Sequence, residues 1–414
     1  MKRFALPAAA VGIAAALSVL FYLGFARVYG DTVLGQVILT LSSVALLQIA
    51  VVPQSWVYVV GAHGMNEIAA RFAQAATIEW AGGLVGLALL AVFTLLPVSL
   101  LAGNREAILF QFIALWAAGS TSAQGLFRAH EDWVRYALWV VTPNLLRVGL
   151  VGTALLPGHR LAGLGGDRAA LVLVFFTIPD LVRYLLFNVP TLLRHYRPPP
   201  RATLRPAATR ILQNWLFDMG SALTEVADKV VVGTLLGPQL LVVYFFARKL
   251  GVAATMVVEP VYAEHYRRVL LQTDGRDRAV AQRRVYWIGL ATALTMAALV
   301  IASVTGGLQI APLAQLVPES VRANVTLFIG LVLVDCLIAA NRWSRYLSQL
   351  EGAAQLLLMV RILLFAGFAA ALAAFARLPG GAGLMLAFGG FWIAEASFVT
   401  IWLNRALVRG RRSA

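Results

Sequence analysis

Only one cysteine occurs in the 414 residues, Cys336, and it falls inside an apolar run. That excludes a disulfide framework and any cysteine-based metal cluster. Five histidines scattered along the chain form no metal-binding spacing. No phosphate-binding loop of the GxxxxGKS or GxxxxGKT type is present, which argues against ATP hydrolysis by this chain. HExxH, CxxC and GxSxG are absent as well, so the common zinc-hydrolase, dithiol and serine-hydrolase chemistries have no foothold. Charge is scarce too, at 13% of residues.

What remains is apolar. Hydrophobic residues make up 60% of the chain and the mean hydropathy is +0.79, whereas soluble domains sit near 45–50% apolar. This is the composition of an integral membrane protein. The net charge of +15 would suggest nucleic acid in a soluble chain. Here the arginines lie in short connections between apolar runs, where they set orientation, and no nucleic-acid partner is expected. The start, MKRFALPAAAVGIAAALSVLFYLGFA, reads as an uncleaved first helix.

Apolar stretches of about 20 residues fall near 5–26, 34–60, 77–101, 106–127, 134–156, 169–193, 210–235, 239–262, 285–305, 323–341, 353–376 and 382–404. The expected fold is therefore all-α and polytopic, with about twelve transmembrane helices in two six-helix bundles. The expected division is an N-terminal bundle over 1–197, a cytoplasmic linker over 198–209, kept extended by Pro198, Pro199 and Pro200, and a C-terminal bundle over 210–414. With both termini inside, arginines crowd the inward connections 194–210 and 264–284, while the outward ones hold only Arg27, Arg105, Arg160, Arg168, Arg322 and Arg377. This bias places both termini in the cytoplasm. An even count of six gives the halves the same orientation. The shift that lays Gly30 on Gly237 also lays Pro53 on Pro260, an internal echo in matching helices.

Charge inside the apolar runs is the main functional signal, since each carboxylate at bilayer depth costs about 2.5–3.5 kcal/mol on insertion scales. Asn214, Asp218, Ser221, Glu225 and Asp228 share about 80° of one helix face. Tyr244, Arg248, Gly251, Thr255, Glu259 and Tyr262 form a second stripe beyond Gly237 and Pro238. Three acids so close repel one another and resist desolvation, so Asp218, Glu225 and Asp228 are the expected ion-coupling element. The competing reading pairs them with Lys229, Arg248 or Lys249 as bundle-holding ion pairs. Lys229 is placed to reach Glu225 at i−4, while the 100° between adjacent positions argues against a local pair with Asp228. Arg147 follows Pro143 and Asn144. Asp180 and Arg183 follow Pro179 and either serve a site or neutralise each other. Asp335, Arg361 and Glu395 are further intramembrane charges, each expected to face an interior. Gly82 and Gly86 read as close helix packing.

Two segments carry a family resemblance. ADKVVVGTLLGPQLLVVYFFARKL, with Asp228, Gly233, Leu236, Gly237, Tyr244 and Ala247, resembles the seventh-to-eighth helix junction of bacterial polysaccharide repeat-unit (O-antigen type) flippases. ARVYGDTVLGQVILTLS, with Ala26, Arg27, Gly30 and Gly35, is similar to their first-to-second helix junction. These flippases belong to the multidrug/oligosaccharidyl-lipid/polysaccharide exporter superfamily. After Pro53 the chain departs from the family, since the usual arginine near the inner end of the second helix is missing.

The resemblance implies a multi-pass protein of the bacterial inner membrane that is not an enzyme. It would act as an antiporter, moving a lipid-pyrophosphate-linked oligosaccharide to the outer leaflet by ion-coupled alternating access. A proton or Na+ would be the coupling ion, with no cofactor and no metal. The lipid-linked oligosaccharide, membrane lipids, a polysaccharide polymerase and glycosyltransferases would be its partners. A buried pyrophosphate needs fixed cations, and planar guanidinium forks suit phosphate oxygens. Arg147, Arg183, Arg248 and Arg361 are the expected substrate-binding residues, and Arg27 joins them through the family motif alone. Asp228 matches the family's helix-seven acid. The alternatives are a cation-coupled multidrug exporter of the same superfamily, which should favour acids and aromatics over several arginines, and a membrane-embedded glycosyl or acyl transferase, for which no acid pair or histidine stands at a suitable helix end.

Overall fold

The computed structural model describes the backbone of residues 2–62, 64–95, 105–118, 121–256, 275–310, 314–350 and 354–412. Within these, the side chains at 2–5, 93–95, 117–118, 214, 216–225, 254–256, 275–279, 281–282, 285, 339–350, 354–358, 380, 399–400 and 402–412 fall outside the description. Among the described residues every regular element is helical. A chain that spans lipid must satisfy its backbone hydrogen bonds within each segment, and helices do so.

Two compact units divide the chain, Met1–Val230 and Val231–Ala414. In the first unit the helices are α1 (Lys2–Tyr29), α2 (Asp31–Val51), α3 (Trp56–Val60), α4 (Met65–Leu95), α5 (Arg105–Ala118), α6 (Thr121–Ala129), α7 (Trp133–Ala154) and α8 (Arg168–His195). Helix α9 (Arg201–Leu236) begins in the first unit and ends in the second. The second unit adds α10 (Pro238–Met256), α11 (Gly275–Gln309), α12 (Glu319–Ala323), α13 (Val325–Leu350), α14 (Ala354–Phe375) and α15 (Ala382–Arg412). Among the described residues, six helices are long and apolar enough to cross a bilayer, within Leu6–Tyr29, Asp31–Val51, Met65–Val92, Trp133–Ala154, Arg168–His195 and Tyr286–Gln309. Shorter apolar stretches lie at Val325–Ile338, Met359–Phe375 and Ala382–Phe398. The protein is thus an all-α, polytopic membrane protein, as its composition requires.

In the first unit α1 lies along α7, α2 packs on α5, and α3 and α4 both pack on α6. Phe21, Phe25 and Tyr29 of α1 interlock with Phe175 of α8, the Phe25 and Phe175 rings meeting edge to face at 5.4 Å. Such contacts matter more in lipid than apolar area does, because lipid removes the hydrophobic drive between helices. In the second unit α13 is central, packed by α10, α11 and α15, with α14 laid on α15.

Within the expected linker, 198–209, the chain is already helical from Arg201. Helix α8 ends at His195 and α9 already begins at Arg201, so the three prolines interrupt helix only up to Pro200. The first turns of α9 then stay with the first unit: Ala207 and Ile211 are buried against Tyr58, Phe72 and Leu126, and the Trp215 indole donates to the Ile49 carbonyl at 2.9 Å. That anchoring explains why the compact division falls at Val230 and not at the prolines. One further span differs from the expected continuous helix. The one expected over 34–60 breaks between Val51 and Trp56, at Pro53, and in the one expected over 106–127 residues 119–120, between α5 and α6, fall outside the described residues.

The internal echo has a structural counterpart. Gly30 sits between α1 and α2 with φ 83°, and Gly237 sits between α9 and α10 with φ 85°. In each case a single residue in the region that favours glycine turns one helix directly into the next. Pro53 stands at the α2 break, whereas Pro260 lies outside the described residues.

Candidate functional site

The polar centre of the first unit is assembled from prolines upward. Pro179 has no N–H to give the turn below it, and the carbonyl four residues back, that of Phe175, accepts from Arg147 Nε on α7 at 3.3 Å. Around Pro179 the helix α8 widens into π-turns at Leu173–Thr177 and Tyr184–Asn188, on either side of Ile178–Arg183. Such wide turns often mark functional segments. Here they set Asp180 and Arg183 on a short α-helical piece between two wide turns. Thr177, in the first wide turn, donates to Gln111 of α5 at 2.9 Å.

Asp180 then joins two helices. Its Oδ2 accepts from Arg147 Nη2 at 3.0 Å, and its Oδ1 lies 3.6 Å from Arg183 Nη2. Arg147 is further held by Asn144 Oδ1 at 3.2 Å and lies over the Phe176 ring at 5.4 Å. Arg183 lies over the Trp139 ring at 4.7 Å, and the Trp139 indole is fixed by Asn188 Oδ1 at 3.0 Å. Two guanidinium groups thus share one carboxylate, leaving one positive charge over. The arginine side chains keep 16% and 15% of their surface open, while Asp180 keeps 4%. Arg147 projects about 140–180° away from Val134, Leu138 and Leu145 by helical arithmetic, and those three are the exposed apolar residues of α7. The open side of the cluster is therefore cationic and turned away from the lipid face.

The other expected residues are placed differently. Arg248 of α10 is buried and ion-paired with Asp335 of α13, under the Phe388 ring at 5.5 Å. A Cβ at Gly251, one turn on, would collide with the Asp335 carboxylate, so glycine makes the room for this pair. Arg361 is buried on α14. Arg27 is exposed in the last turn of α1 and does not join the cluster. Asp228 is buried at 3% exposure, and its carboxylate lies 3.3 Å from Lys229 Nζ. The local pair that helical spacing argued against does form: the lysine stem is long enough to curl around 100° of helix. Asp218 and Glu225 lie on the same helix, but their side chains fall outside the described residues.

Sequence reading missed Glu79. It is 1% exposed on α4, and it accepts from the hydroxyls of Ser55, Thr121 and Ser122 and from the Ser122 backbone N–H at 3.0 Å. Those donors come from the α2–α3 break and from the start of α6, where helix ends leave polar backbone to satisfy. The span expected near 77–101 has Glu79 at its edge. Because α4 begins at Met65, it is an interior one.

No protein-family model matches the sequence, and no curated protein matches it. Solved structures do. One described as the inward-facing conformation of a multidrug resistance MATE family transporter of the MOP superfamily is 14% identical, with 97% of this chain and 96% of that chain covered and a TM-score of 0.63. The MATE multidrug transporter DinF-BH, solved in complex with a small-molecule ligand, is 13% identical over 97% of this chain and 95% of its own, with a TM-score of 0.58. An outward-facing MATE family transporter of the same superfamily is 13% identical over 100% of this chain and 97% of that chain, with a TM-score of 0.55. The chain has the fold of these transporters.

Proposed function

We propose that the protein is an alternating-access carrier, not an enzyme, that exports an amphipathic substrate with an anionic headgroup. The substrate we assign is a lipid-pyrophosphate-linked oligosaccharide delivered to the outer leaflet of a bacterial inner membrane. The observation that carries this reading is the Arg147–Asp180–Arg183 arrangement, with two guanidinium groups on one carboxylate. An intramembrane excess of fixed positive charge is costly unless an anion visits it. Planar forks on two helices suit the oxygens of a pyrophosphate. In this reading both termini are cytoplasmic, in line with the arginine bias, and Asp228 on α9, with Asp218 and Glu225, couples a proton or Na+ to the cycle.

A second reading is a cation-coupled multidrug exporter, favoured by what the structural neighbours are described as transporting. The two readings diverge at the arginines. Arg147→Ala and Arg183→Ala, at matched protein levels, should each cut export of the lipid-linked oligosaccharide by at least about tenfold, the loss of one charge-assisted contact. Normal export by both variants overturns the anionic-headgroup reading. Unchanged export of organic cations by the same variants, together with no measurable oligosaccharide transport by the unaltered protein, establishes the multidrug reading in its place.

A further inference from the structure

We propose that Asp180 is a displaceable internal anion: an anionic headgroup takes its place between Arg147 and Arg183, and the displaced carboxylate takes up a proton. This rests on the anion-site reading above and adds a proton-linked element in the first unit, beside that assigned to Asp228. Each arginine has a support other than Asp180. Arg147 is tied to Asn144 Oδ1 and to the Phe175 carbonyl, and Arg183 leans on the Trp139 ring. Both therefore keep their positions when the carboxylate leaves.

Asp180 also holds the pair unevenly. It is hydrogen-bonded to Arg147 at 3.0 Å but stands 3.6 Å from Arg183, beyond a good hydrogen bond. Arg183 Nε is buried with no hydrogen-bond partner among the described residues, so its donor capacity is unfilled.

Charge decides what happens next. The cluster carries +1 with Asp180 ionised, and a pyrophosphate headgroup brings more negative charge than that. A carboxylate left beside phosphate oxygens at hydrogen-bonding range is strongly opposed, and protonation removes the opposition. Among the described residues, the groups that face Asp180 are Arg147 from α7, Arg183 on its own helix and the Tyr22 phenol of α1, which lies within electrostatic reach of both Arg147 and Asp180. From α5 only the neutral Gln111 is seen at this turn, through Thr177. No covalent bond of the substrate changes. Phosphate oxygens replace carboxylate oxygens as acceptors, and one proton from water ends on Asp180. Since the bound anion favours the protonated carboxyl, anion affinity must rise as pH falls, by reciprocal linkage.

The experiment is calorimetric titration of the purified full-length protein with sulfate, whose charge is constant over the range, so that any pH effect belongs to the protein. Wild-type protein should bind at least about tenfold more tightly near pH 5 than near pH 8. Titration in buffers of different ionisation heat should count about one proton taken up per anion. Asp180→Asn should bind near pH 8 as tightly as wild type does near pH 5, and without pH dependence. Sulfate binding that is flat with pH in the wild type overturns the displacement and leaves the anion site standing; the wild-type series decides this even if the Asn variant does not fold. No binding of either sulfate or inorganic pyrophosphate to wild type at any pH overturns the anion site, and the displacement with it.

Discussion

The first and second units each bury arginine against aspartate, and they differ in how far the guanidinium groups are closed off. In the second unit Arg248 is ion-paired with Asp335, 7% and 2% exposed, with aromatic rings over the guanidinium. In the first unit two arginines share Asp180 and stay partly open. A sealed pair acts as a tie between α10 and α13. An odd, open cluster is poor as a tie and suited to an anion. Burial alone does not separate these roles, since Asp180 is as buried as Asp335.

The largest effect that this contrast predicts is on stability, and in the second unit. Asp335→Ala removes the carboxylate paired with Arg248 and should cost about 3–5 kcal/mol, as breaking a buried pair does. Asp180→Ala should cost less, about 1.5–3 kcal/mol for lost hydrogen bonds to a charged group, because Arg147 and Arg183 retain Asn144, the Phe175 carbonyl and Trp139. Thermal unfolding in one detergent ranks the two. If Asp180→Ala proves the more damaging, the distinction between tie and site is wrong.

Each member of the first-unit cluster was legible in the sequence as a charge beside a proline in an apolar run. Their meeting was not, because Arg147 and Asp180 are in different helices, and helical spacing assigns a face without naming what packs on it. The same limit hid Asp335 as the partner of Arg248. Spacing failed differently at Asp228 and Lys229, where side-chain reach overcame the angle between neighbours. The fold was more accessible, since composition demanded helices and apolar length located most of them. What length could not show was where span two breaks, because Ser55 is held there by Thr121 and Glu79, which belong to other helices.

That node gives a second test of the contrast, since Glu79 is a buried acid acting as a tie within the first unit. Glu79→Gln keeps one acceptor oxygen and turns an NH2 toward groups that donate. At least one of the Ser122 N–H and the three hydroxyls then loses its acceptor, at a cost of about 1–3 kcal/mol. The expected signature is local, with faster amide hydrogen exchange over Thr121–Ala129 and little change in α7. Sulfate affinity should stay as in wild type. A loss of anion binding equal to that of Arg147→Ala would make Glu79 part of the site.

The smallest effect concerns what the two units share. Gly30 has φ 83° and ψ 163°, a region that is essentially closed to residues with a Cβ, and the space around its absent Cβ is empty. Gly237 has φ 85° and is likewise open on that side. Substitution at either position meets no neighbour among the described residues, so its cost is backbone strain, about 1–3 kcal/mol. At Gly30 an asparagine should help no more than an alanine, because asparagine tolerates the left-handed helical region and not this more extended one. Gly30→Ala, Gly30→Asn and Gly237→Ala should therefore lower the unfolding temperature by similar amounts. A side chain placed at either turn without loss would mean that the chain passes from helix to helix by another route there, and the likeness of the two turns would then be no more than coincidence.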